Sequence, residues 1–383
     1  VEFYNPGSTN FGGNNIFNGA PLNTGIYAYQ SSNAAAYAAS VGKTYHNFYL
    51  LTLNYNNETD PEIYTVYEGN PLDEPYVPDR SGYAFLGWYT DDGTFENEWD
   101  FDTPVTTDIT LYAKWAGVSS NGTYTWADIG DGNALLVSYI GSDTVVSVPS
   151  ALGGKTVTQI HTNAFYQSAV TSVTLPDSIT YIDNYAFSDC SDLASIDLPD
   201  SLTYLGEEAF FNCFDLADIT LPSGLLEIGA RAFENCNNLA EITVPASVTT
   251  VGDRAFYHCS SLDTVIFLNP GNTAFGGADI FIATPIDDGI YGFAASNKVN
   301  NPNFAGKNTD YLYTVTFNTG GGSEIASVIV KNHGGFAKPA DPTREGFLFE
   351  SWYTDNGTFE DWWDFVEGAV TSDITLYANW TEL

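Results

Sequence analysis

The 383-residue sequence has no methionine, four cysteines, four histidines and only 11 lysines and arginines. With no Met at position 1 and no charged segment leading into an apolar one, no signal peptide is visible, and the chain reads as a mature protein or an excerpt of a longer one. Eleven cations against 48 carboxylates give a net charge of −37, which repels phosphate and works against nucleic-acid binding or docking on an anionic membrane. No apolar run approaches ~20 residues, so no segment is expected to span a bilayer. His46, His161, His258 and His333 are scattered, with none at metal-ligand spacing. Gly42-Lys43-Thr44 and Gly154-Lys155-Thr156 end like phosphate-binding loops, but Tyr37 and Pro149 stand where the leading glycine is required. G-x-S-x-G, H-E-x-x-H and C-x-x-C are all missing, and the carboxylates are too numerous for one acid–base pair to stand out. The chain is expected to be non-enzymatic and to need no cofactor.

Aromatic residues make up 15% and hydrophobic residues 44%, which excludes a disordered chain despite the charge. A surface held soluble by repulsion suits an extracellular or cell-surface setting, and would equally suit a salty cytoplasm.

Cys190, Cys213, Cys236 and Cys259 are each 23 residues apart. Phe187, Phe210, Phe233 and Phe256 keep the step, as do Leu193, Leu216, Leu239 and Leu262. So do Ile196, Ile219, Ile242 and Val265, and the pairs Leu175-Pro176, Leu198-Pro199, Leu221-Pro222 and Val244-Pro245. This period predicts a solenoid, because one such coil cannot bury its own apolar face and neighbours must stack. Each coil is expected to run as a short strand, a proline turn, a second extended stretch near Ile182 or Leu205, and an Ala-Phe return to Cys. Alternation puts Ile196 and Leu198 inward and Ser195 and Asp197 outward. The pattern resembles leucine-rich repeats of the BspA-like type through residues such as Ala209-Phe210, Cys213 and Leu216. The resemblance covers roughly 117–308, including an entry segment from Tyr139 to Phe165.

A second repeat is longer. Asn5-Pro6-Gly7 recurs as Asn269-Pro270-Gly271, and Trp88-Tyr89-Thr90-Asp91 as Trp352-Tyr353-Thr354-Asp355, both 264 residues on. Ile109 to Ala113 recurs as Ile374 to Ala378 at 265, so the last 119 residues roughly duplicate the first. Gly87-Trp88-Tyr89, Trp99-Asp100-Phe101 and Leu111 to Trp115 carry a resemblance to the Listeria–Bacteroides repeat, the internalin B repeat. That implies small β-grasp-like modules with the aromatics in their cores. The expected organisation is mainly β: a C-terminal cap of a preceding solenoid at 1–48, a module at 49–116, the leucine-rich-repeat domain at 117–308 and a second module at 309–383. This amounts to a little over one period of a tandem array.

Four thiols in a stacked column are too widely spaced for disulfides and too collinear for zinc, so they are expected to be buried and free. His258 beside Cys259 suggests no catalytic pair, because neighbours on an extended segment point to opposite faces. Calcium is admitted only by Asp128 to Asn133, Asp91-Asp92-Gly93 and Asp355-Asn356-Gly357, which lack a calcium loop's spacing and read more naturally as turns.

The outward columns Ser172, Ser195, Asp218, Glu241 and Thr174, Asp197, Thr220, Thr243, with Tyr181 and Tyr204 from the other stretch, form a candidate partner-binding face. Ser and Thr also simply suit exposed strand positions. Val1, Glu2 and Phe3 are a candidate assembly edge. Both resemblances imply an extracellular surface protein acting as an adhesin or a structural rod. Rival readings are a self-assembling filament or sheath subunit, and a receptor for a host glycoprotein or glycan. Partners are accordingly a protein or glycan at a cell surface, or copies of the chain head to tail.

Overall fold

A computed structural model describes residues 44–293 and 309–383, apart from 58, 70, 71, 73, 74, 76–79, 102, 270–272, 278, 287, 288 and parts of a few strand-end side chains. Of the first 43 residues it describes 2, 3, 26–29, 35, 38, 39 and 42. Nearly all regular structure among these is β. Residues 1–119 with 127–129 form one compact unit, and 120–126 with 130–383 another.

The second unit contains the solenoid. Val145–Ser147, Ser172–Thr174, Ser195–Asp197 and Asp218–Ile219 form one parallel sheet. Tyr181–Ile182, Tyr204–Leu205, Glu227–Ile228 and Thr250–Val251 run parallel in a second. Registers such as Ser172↔Ser195 and Tyr181↔Tyr204 step by 23, as the period requires. The coil closes through the Ala-Phe segment, where Phe187 N donates to Ala209 O and Phe210 N to Ala232 O, both at 2.8 Å.

Inside, Phe165, Phe187, Phe210, Phe233, Phe256 and Phe281 stack in one file, with centroids 4.7–5.7 Å apart and planes within 14°. From Phe187 to Phe256 the 23-residue step places identical rings one coil apart, Phe165 and Phe281 join the file at steps of 22 and 25, and the aligned stacking follows from the backbone spacing.

Two features of the coil are absent from a hydrophobic pattern. Gly206, Gly229 and Gly252 form a column: a Cβ on Gly206 would lie 2.6 Å from Asn184 N, and one on Gly229 or Gly252 would strike the backbone of Gly206 or Ala230. Tyr185, Glu208, Arg231 and Arg254, and likewise Asp189, Asn212, Asn235 and His258, adopt φ of 51–64°. Left-handed backbone is costly for large residues. Here each such turn lets backbone N–H groups reach the next coil, as Tyr185 N does to Glu207 O at 2.8 Å. Asn235 Nδ2 donates to Asn212 Oδ1 (2.8 Å) and Asn212 Nδ2 to Asp189 Oδ1 (2.7 Å), a side-chain ladder along the same turns.

Each module is built on one long strand. In the first, Tyr45–Asn54 pairs antiparallel with Glu62–Tyr67 and parallel with Ile109–Ser120, which pairs antiparallel with Tyr83–Tyr89. Tyr45–Asn54 and Ile109–Ser120 both cross the expected boundaries at 48/49 and 116/117. Trp88 and Trp352 are 1% and 0% exposed, so these aromatics are core, as the need of a small domain for large side chains suggests. Trp115 Nε1 donates to Tyr55 O (2.7 Å) and Trp380 Nε1 to Thr319 O (2.9 Å).

The second module joins the solenoid without a break in the sheet. Thr309–Asn318 gives its first residues to a parallel ladder with Ile290–Phe293 of the solenoid's end, and its last to a parallel ladder with Ile374–Glu382 of the module. The first copy repeats this register: Glu2↔Tyr27 matches Ile266↔Tyr291, and Ile26↔Tyr45 matches Ile290↔Thr309.

Candidate partner-binding faces

The outward columns form hydrogen-bonded rows. Ser195 Oγ donates to Ser172 Oγ (3.3 Å), and Thr174 Oγ1 donates to Asp197 Oδ2 (3.3 Å). Asp218 follows in register with Ser195 and is exposed, as is Thr220.

The expected single face is divided, however. Asp218–Ile219 ends the first sheet, and Glu241–Val244 opens another with Thr264–Phe267. Asp218 and Glu241 would be adjacent rungs, and like charges directly opposite one another weaken strand pairing. Glu241 is also engaged: Lys331 Nζ lies 3.8 Å from its Oε2 and 4.6 Å from the Tyr291 ring centroid. Thr243, beyond it, is half-buried.

Tyr181 and Tyr204 are brought together, but on the other sheet. Their rings stack at 4.4 Å with planes 7° apart. The proline turn between the two strands, closed by Ile179 N donating to Pro176 O (3.1 Å), carries the chain from one sheet to the next. The sequence therefore proposes one surface where the fold has two. Of the candidate edge, Glu2–Phe3 pairs parallel with Tyr27 and Ala28, and Val1 lies outside the described residues.

The thiols are fully buried and free. Each donates to a backbone carbonyl of the preceding coil: Cys190 to Phe165 O, Cys213 to Phe187 O, Cys236 to Phe210 O and Cys259 to Phe233 O, at 3.0–3.3 Å. Burial pushes Cys190 and Cys259 up to about 12 and the middle two well above their usual range, so none supplies a thiolate. His258 is not extended: at φ 58° it stacks on Tyr257 (4.2 Å), while Cys259 is turned into the core. The two do divide between surface and core, but through a left-handed turn rather than strand alternation.

Asp91 accepts from the Thr94 hydroxyl, Glu96 N (3.1 Å) and Asn97 N (2.9 Å), which pull its carboxyl down to about 2. Asp355 repeats this with Thr358, Glu360 and Asp361. Both carboxylates hold their own loops. Asp131 and Gly132, at φ 51° and 78°, make a two-residue turn between Tyr124–Gly130 and Asn133–Tyr139. Among the described residues no group of three or more His, Cys, Asp or Glu could hold a metal ion.

Six copies of the BspA type leucine rich repeat region match residues 158–281. Residues 158–281 are a BspA-type leucine-rich-repeat region. The Listeria-Bacteroides repeat domain matches 49–114 and 313–379, which identifies the two modules. A "Putative Gly-rich membrane protein" and a "Putative membrane protein" of Evansella cellulosilytica are 40% and 41% identical over 68 and 69 residues, 18% of this chain in each case. The chain spans a tenth or less of either relative's length, at 8% and 10%. Among solved structures, a leucine rich repeat protein of T. pallidum is 27% identical over 43% of this chain and 88% of its own, with a TM-score of 0.40. A leucine rich cell surface protein of Faecalibacterium prausnitzii is 24% identical over 51% and 54%, with a TM-score of 0.39. The BspA-type region thus sits between two repeat domains of a second kind.

Proposed function

We propose that the chain is a non-enzymatic adhesion protein of the bacterial cell surface, in which the BspA-type region contacts protein or glycan partners and the modules transmit the load. One observation carries the reading: Thr309–Asn318 is shared between solenoid and module. A pull on the second module is resisted by ladder hydrogen bonds in the solenoid rather than passed to a slack linker. The two curated relatives named as membrane proteins favour a setting at the cell envelope. The hydroxyl rows at Ser172–Ser195 and Thr174–Asp197 and the Tyr181–Tyr204 stack are the contact surfaces, and repetition adds avidity to weak contacts. Beads carrying the whole chain, held under flow on immobilised glycoproteins and glycans, test the reading. Retention is expected, with loss in the Tyr181→Ala/Tyr204→Ala variant while its stability stays within about 1 kcal/mol of wild type. Beads that wash off every surface, or retention untouched by the double variant, would overturn it.

A further inference from the structure

The two modules share strand register, so the places where they differ are informative. In the first, Tyr89 and Phe95 pack edge to face at 5.5 Å and 87°; in the second, Tyr353 and Phe359 do so at 5.4 Å and 78°. Lys114 stands over the first pair, its Nζ 4.8 Å from the Tyr89 centroid and 5.9 Å from that of Phe95. Glu98 bridges across to Tyr89, and Lys114 acts to lower its pKa against the rise that burial causes.

Three positions change together in the second module. Lys114 becomes Asn379, Glu98 becomes Trp362, and Gly87 becomes Ser351. A Cβ at Gly87, whose φ is +123°, would meet Glu98 Oε1 at 2.8 Å, so a side chain here would displace that carboxylate. Trp362 makes the same bridge, to Tyr353, yet is 62% exposed. Asn379 Nδ2 donates to Glu350 Oε2 at 2.9 Å and the Thr381 hydroxyl to its Oε1, so the residue standing in for the lysine is spent on holding a carboxylate beside it.

Cations in this chain are scarce, and among the described residues most of them are placed over rings. Arg80, Lys114, Arg254, Lys331, Lys338 and Arg344 all cover aromatic side chains. Among the described residues none covers Tyr353 or Phe359. The second module retains the aromatic pair, adds an exposed indole and a carboxylate, and lacks the internal cation.

We propose that the surface formed by Tyr353, Phe359 and Trp362, flanked by the exposed Glu350 that Asn379 holds, receives a lysine or arginine side chain from a basic segment of a partner protein. A ring quadrupole and a carboxylate together select a cation, and a net charge of −37 draws a basic segment in from a distance. The first module, with Lys114 already in place, does not take one.

The test uses the whole chain and a capped pentapeptide with two lysines between glycines, followed through the tryptophan indole N–H resonances and by calorimetry. The Trp362→Glu/Asn379→Lys variant rebuilds the first module's internal pair without changing net charge, so non-specific attraction is held constant. Wild type is expected to bind the peptide at least roughly fivefold more tightly than the variant, with the Trp362 indole shifting and the glutamate version of the peptide inert. Asn379→Lys alone, which supplies the cation internally, is expected to weaken binding in the same direction and serves if the double variant does not fold. Equal affinity in wild type and both variants, or no shift at Trp362, would overturn the proposal.

Discussion

One rung of the solenoid is missing, and restoring it should stabilise the fold. Ser178, Ser201 and Ser247 each donate from Oγ to a backbone carbonyl of the preceding coil, at Val157, Ile179 and Leu225, all at 2.6 Å. The 23-residue step places Gly224 in this column. A Cβ there would sit 3.7 Å from Leu202 O, the carbonyl that the hydroxyl should reach, and 3.1 Å from Asp200 O. The backbone at Gly224 is not left-handed, so a serine can be accommodated. A net hydrogen bond contributes about 1 kcal/mol, and removing a glycine's freedom from the unfolded chain about 0.4–1 kcal/mol. The tight approach to Asp200 O subtracts part of this, leaving Gly224→Ser more stable by roughly 1 kcal/mol. Urea unfolding of wild type, Gly224→Ala and Gly224→Ser separates the two contributions, because alanine has only the backbone effect. A serine variant no more stable than the alanine variant would refute the hydrogen-bond argument, and a serine variant less stable than wild type would refute the spacing on which it rests.

The cysteines and a half-buried glutamate give two further tests. All four thiols should react with a disulfide reagent at pH 8 no faster than the chain unfolds, since burial pushes Cys190 and Cys259 up to about 12 and the other two well above their usual range; labelling within seconds in native buffer would contradict their burial. Glu234, with a 13% exposed side chain, has its pKa raised first by burial, against the pull of Arg231 at 3.5 Å. A raised carboxyl stabilises the fold when protonated, fully so below the ordinary carboxylate range, and that contribution is lost as pH rises through the raised value. Glu234→Gln should therefore be more stable than wild type at pH 7–8 and match it near pH 4; the reverse ordering in urea titrations at the two pH values would show that the ion pair outweighs burial.

The solenoid was legible because a packed core repeats residue type: Phe187, Phe210, Phe233 and Phe256 announce their file directly. Gly206, Gly229 and Gly252 stand at the same step and were equally visible, but a reading that weighs hydrophobic positions passes over residues chosen for having no side chain. The left-handed turns were hidden for another reason. They fall on Tyr185, Glu208 and Arg231, whose types do not favour that conformation, and stacking between coils imposes it. Strand alternation says which side of a strand a residue takes but not that Tyr204 and Asp197 belong to different sheets. Long-range pairs such as Glu241 with Lys331 leave no local signal at all.

The strand Thr309–Asn318 also decides where the chain can be divided. A cut at 308/309 would keep the module's fold in name while stripping half of one strand edge from the solenoid's last ladder. Residues 1–119 and 265–383 are duplicates in sequence, and where both copies are described their register agrees, Ile26↔Tyr45 with Ile290↔Thr309. The closing strand of the solenoid and the second module therefore fold as one block, and a division that spares both falls within the run of 23-residue coils, where neighbours are alike.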